Sequence, residues 1–152
     1  MYQRDYILRM IEMMADFIAA ILKMFTKGDF PQASQMLENA YYDFLKQDAA
    51  FFRNIPAERL TEELLINHNY TNGHLEVLAG LFYAEAELAD KTGNLDYSLA
   101  FYQKTKLLLE FVLKESGTYS AEKADRIFKI DQRIFEMKAN QNSSIPKNES
   151  SG

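Results

Sequence analysis

The chain of 152 residues contains no cysteine, so disulfides and thiolate metal sites are both excluded. Glycine and proline are scarce, six and three respectively, which disfavours a turn-rich β fold and leaves room for long uninterrupted helices. A basic surplus is missing too. With 22 acidic against 17 basic residues the net charge is -5, the wrong sign for tracking a phosphate backbone, and nucleic acid is not an expected partner. The most apolar stretch, MIEMMADFIAAILKMF over 10–25, is flanked or interrupted by Arg4, Asp5, Arg9, Glu12, Asp16 and Lys23. No A-x-A cleavage pattern follows it, and a membrane span needs about 20 largely uncharged residues. Its three basic residues are balanced by three acidic ones, so anionic lipid attracts it little and no membrane partner is expected. Gly-rich phosphate loops and Gly-x-Ser-x-Gly elbows are also lacking.

What is present is apolar bulk. Hydrophobic residues make up 47% and aromatics 13%, enough to exclude disorder for most of the chain. Apolar residues recur every three or four positions rather than every two, which predicts an all-α fold. A first helix over 3–25 carries Ile7, Met10, Met14, Phe17, Ile21 and Phe25 on one stripe. Ile11, Met13, Ile18, Ala20 and Leu22 widen that surface until a second neighbour is needed. Lys27-Gly28-Asp29-Phe30-Pro31 supplies a helix-ending glycine, a cap and a first-turn proline, opening a second helix that runs to residue 46. The pattern weakens over 47–73, where a short helix is expected at 57–67. Helices follow at 74–91, 96–115 and 121–138, the first two ended by Gly93 and Gly117. Five main helices and one connecting helix thus form one expected domain over 1–140, and the polar remainder, 141–152, is expected to be a disordered tail.

An internal repeat emerges when Gly28 is aligned with Gly93. Five residues on stand Ala33 and Ser98, nine on Leu37 and Tyr102, twelve on Ala40 and Thr105, with Ile21 and Ala86 seven residues before. Small residues at the first and third of these offsets let the second helix of a hairpin press on the first, and the larger middle one fills the space between hairpins.

On these residues, KGDFPQASQMLENAYYDFL resembles the second helix of a tetratricopeptide repeat. GNLDYSLAFYQKTKLLLE is similar, with Ser98 and Thr105 in place of the usual alanines. Phe17 and Phe82 stand where that consensus has tryptophan, and Ile21 where it has a small residue. Over 2–115 the chain also resembles a family of small bacterial proteins of this helical type, for which no activity is known to carry across. The resemblance implies two helical hairpins whose first helices line a concave face. In the second hairpin that face carries Gly80, Tyr83, Glu87 and Asp90, a small, aromatic and acidic set suited to an extended or basic peptide, of which Tyr83, Glu87 and Asp90 are the candidate binding residues. In the first it carries Ala15, Ile18, Leu22 and Phe25.

The expected function is therefore a non-enzymatic cytoplasmic module that binds a protein or peptide and needs no cofactor. The alternative is an enzyme or metal-binding protein that joins His68 and His74 to nearby carboxylates, although their spacing matches no established ligand pattern. Acidic neighbours such as Glu85 and Glu87 are read as a solvated helix face. Met10, Met13, Met14 and Met24 are read as core. Two hairpins leave the first helix short of cover, which predicts a homodimer through Ile11, Met14, Ile18 and Leu22.

Overall fold

The computed structural model describes residues 2–144. Among them are seven α-helices and no strand: α1 (Tyr2–Thr26), α2 (Phe30–Leu45), α3 (Ala49–Arg53), α4 (Leu60–Glu62), α5 (Asn72–Lys91), α6 (Leu95–Ser116) and α7 (Ala121–Ser144). A 3-10 turn over Ala57–Arg59 leads into α4 and a π-helical turn over Glu63–Asn67 leaves it. The all-α expectation holds, and the number of helices is larger than the sequence predicts. The expected short helix at 57–67 is there in mixed geometry, whereas α3 is an addition. Its five residues are too few for a period to register, and it forms because Asp48 caps it, accepting the Phe51 N–H at 3.0 Å. At the far end α7 continues to Ser144, into the stretch expected to be a tail, and 145–152 lie outside the described residues.

The two aligned glycines close their helices in the same way. Gly28 and Gly93 both have left-handed backbones, φ 74° and 85°. The Gly28 N–H reaches the Phe25 carbonyl and the Asp29 N–H the Met24 carbonyl, at 3.1 and 3.2 Å. The Gly93 N–H reaches Asp90 and the Asn94 N–H Ala89, at 3.3 and 2.8 Å. This pairing of a six-to-one bond with a five-to-two bond satisfies the last carbonyls of α1 and α5, and it needs φ above zero at the glycine. Each turn then feeds the next helix through a backbone bond, Ala33 N–H to Asp29 and Ser98 N–H to Asn94, at 3.1 and 3.0 Å.

The small residues of the register lie in the core. Ala33, Ala40, Ser98 and Thr105 are all buried. Ser98 donates its hydroxyl to the Ala86 carbonyl of α5 at 2.7 Å, and Thr105 donates within α6 to Phe101 at 2.7 Å, so neither hydroxyl is buried without a partner. Since Ala33 and Ala40 are buried, Ala33→Phe or Ala40→Phe is expected to overpack the core and cost on the order of 1 to 3 kcal/mol, read as a lowered urea midpoint with an unchanged slope. Unchanged midpoints in both variants would contradict the packing.

Helix α5 is the hub: it packs against α1, α2 and α6, and ten of its residues are buried. Phe82 sits at its centre, edge-on to Phe101 of α6 with ring centroids 5.0 Å apart and 6.3 Å from Tyr41 of α2. Tyr41 in turn stacks on Phe52, which is how α3 is drawn under α2. Helix α7 packs on α6 and buries Ile130 and Met137.

Candidate functional site

Helix α5 presents Glu76, Gly80, Tyr83, Glu87 and Asp90 along the side that its buried apolar residues leave free, because three- and four-residue steps keep them on one stripe. The sequence places a partner on this stripe. The structure places α7 there. Asp90 accepts from both Nε and Nη2 of Arg133 at 2.8 Å, a bidentate clamp. The Arg126 guanidinium lies 4.2 Å from the centroid of the Tyr83 ring. Lys123 pairs with Glu76 at 2.9 Å. The Tyr102 hydroxyl of α6 donates to Glu87 and reaches Asp90 at 3.4 Å. Hydrogen bonds from Arg133 hold the Asp90 carboxyl below the usual carboxylate range, while burial pushes the Tyr83 and Tyr102 hydroxyls up. The candidate binding residues Tyr83, Glu87 and Asp90 are thus brought together and engaged from within the chain.

Beside this contact a groove of about 420 Å³ opens between α1, α5 and α7. Its floor is Ile11, Ala15 and Leu22 of α1 with Gly80 of α5 and Leu109 of α6, and its rim carries Glu12, Glu122 and the Lys123–Glu76 pair. The shape follows from small residues. A Cβ at Gly80 would stand 3.1 Å from the Met14 side chain and 3.5 Å from Ile18, so α1 approaches α5 closely at this glycine.

That approach also places the residues of the expected dimer face. Met14 and Ile18 are each only 4% exposed, buried in the chain's own core by α5, and are not available to a second copy. Ile11 and Leu22 are half-buried and line the groove. The uncovered face that motivated a homodimer is met by α5, because α1 packs against both α2 and α5 rather than α2 alone.

Both histidines are engaged in local structure. His74 belongs to a capping box: its Nδ1 accepts the Thr71 N–H at 3.0 Å while the Thr71 hydroxyl accepts the His74 N–H at 3.4 Å. Burial lowers its basicity. His68 pairs with Glu63 at 3.3 Å and meets the Phe51 ring edge-on at 4.9 Å. Among the described residues no three His, Cys, Asp or Glu side chains gather into a metal-binding group.

Glu85 reverses the solvated reading given to it with Glu87. It is 4% exposed. Its Oε2 accepts from the Tyr41 hydroxyl at 2.8 Å and from Arg53 Nε and Nη2 at 2.6 Å each, and Arg53 Nη1 continues to Glu38 at 2.7 Å. The Arg53 guanidinium lies over Tyr41 at 5.3 Å, and Lys104 of α6 donates to the Arg53 carbonyl at 3.0 Å. Burial pushes the Glu85 carboxyl above its ordinary range, and Arg53 pulls it part of the way back. The cluster ties α2, α3, α5 and α6 into one polar clamp, with Glu85 enclosed rather than presented to a ligand. A sequence signal existed: 78, 82, 85 and 89 continue one helical stripe, so Glu85 falls in line with Leu78, Phe82 and Ala89.

Compared with protein-family models, with curated proteins and with solved structures, the chain gives no match. Among the described residues no helix is long and apolar enough to cross a membrane.

Proposed function

We propose that this chain is a non-enzymatic interaction module of the tetratricopeptide-like kind, acting in the cytoplasm on a protein or peptide partner. The observation that carries the reading is the groove between α1, α5 and α7, an apolar floor with a charged rim bordering the α5 stripe. An apolar centre ringed by polar groups is the pattern by which protein surfaces bind other chains. The hairpin assignment is supported by the matching pairs of bonds that close the turns at Gly28 and Gly93. It is supported also by the buried small residues that follow each turn.

Ala19 tests the reading because it is exposed and lines the groove. Cross-linking of the full chain in the native cytoplasm is expected to yield a protein adduct that Ala19→Phe reduces at least about tenfold, the size expected when one central contact of an interface is blocked. Helical circular dichroism should be unchanged. Equal adduct yields from both chains, or none from either, would remove the groove as a binding site.

A further inference from the structure

The helix that occupies the α5 stripe is itself informative about what the stripe recognises. Along α7, Lys123, Arg126, Ile130, Arg133 and Met137 step by three or four residues and so share one face. Three of them meet α5 in charge or cation–π contacts: Lys123 with Glu76, Arg126 with Tyr83 and Arg133 with Asp90. We propose that α7 is a displaceable internal ligand of α5, and that the module's partner is a basic amphipathic helix carrying the same basic-apolar-basic face, which takes the place of α7 on the α5 stripe and so closes the groove against α1 in its stead.

Two observations separate α7 from the other long helices, and two more accompany them. It fully buries only Ile130 and Met137, with Ile127 and Ile134 partly buried against the core, where α5 buries ten residues. Its attachment to α5 is polar, and such contacts weaken as salt rises. Surface clefts run along α7, of about 420 Å³ beside its first turns, 370 Å³ beside Ile130 and Arg133, and 310 Å³ toward α6 at Ile134. Finally, Phe128 and Phe135 on its outward side, 60% and 75% exposed, keep most of their surface in solvent with α7 docked. An element with few buried apolar contacts opens at a lower free energy than the core it covers. A stripe whose internal occupant must leave first binds its partner more weakly by the fraction of time it is free.

This rests on the interaction-module reading, yet its first test involves no partner. Amide hydrogen exchange on the full chain is expected to accelerate at least about tenfold in α7 between low salt and about 0.5 M NaCl, with α5 and α6 unchanged, since ion pairs are screened and burial is not. Arg126→Ala with Arg133→Ala should do the same at low salt. A labelled peptide of residues 119–142 should then bind the double variant at least about tenfold more tightly than it binds the wild-type chain, and Asp90→Lys should abolish that binding.

Exchange of α7 only together with α5 and α6, in wild type at both salt concentrations, would overturn the proposal whether or not the double variant folds. Equal peptide affinity for both chains, or a released α7 with no peptide bound, would overturn it as well. Failure of this kind leaves the interaction reading standing, and failure to capture a partner leaves α7 exchange as it is.

Discussion

Replacing Arg53 by methionine is expected to lower the unfolding free energy at neutral pH by about 3 kcal/mol, because it strands a carboxylate that is only 4% exposed. Arg53 supplies two of the three bonds to Glu85 Oε2 and is the cation nearest it, leaving Tyr41 alone to satisfy the group. The hydrocarbon of methionine can replace the stem of Arg53 but not its charge. Glu85→Gln in the same background should recover part of the loss, since a neutral amide has less to lose by burial than a carboxylate.

The pH dependence follows from the direction of the Glu85 shift. Burial raises its folded-state pKa above the unfolded value, and Arg53 opposes this. Between those two values the folded protein holds a proton that the unfolded chain has released, so raising the pH favours unfolding. The contribution is full below the ordinary carboxylate range and is lost as pH rises through the raised value. Without Arg53 burial acts unopposed and the decline widens, so the variant should lie closer to wild type at about pH 4.5 than at about pH 7.5. Urea unfolding at the two pH values measures this. A loss below about 1 kcal/mol, equal at both, would mean that Glu85 is solvated after all.

The second large effect is expected at Ile18. Ile18→Glu places a carboxylate at a site 4% exposed, against α5 at Gly80, and should cost about 3 kcal/mol or more through desolvation and lost apolar burial. The loss should grow with pH, because burial raises the pKa of the introduced acid and the charged form is the costly one. Denaturation combined with sedimentation gives a clear reading. A halved mass with an unchanged unfolding midpoint would instead put Ile18 on a dimer interface and refute the packing of α1 on α5.

Several features were legible residue by residue. Gly28 and Gly93 announce helix ends because a left-handed backbone suits glycine, and the two Schellman turns form there. Ala33, Ala40, Ser98 and Thr105 announce close helix contact by their size, and each is buried. Others were misread for definite reasons. Helix α3 was missed because capping by Asp48 and stacking of Phe52 on Tyr41, rather than a period, hold its five residues. Glu85 was grouped with Glu87 by chemistry, although two positions along a helix point in different directions.

The sequence by itself determined the helical class, the turn positions and the small-residue register, because these depend on backbone conformations and spacings within a few residues. Only the tertiary structure decided which polar groups are enclosed and which face is covered. The Tyr41–Glu85 bond joins residues 44 apart and the Asp90–Arg133 clamp residues 43 apart. Periodicity shows that each helix has a face to bury, but carries no information on which distant face will meet it. That choice rests on the close approach of α1 to α5 at Gly80, and on the charges that bring α7 onto Glu76, Tyr83 and Asp90.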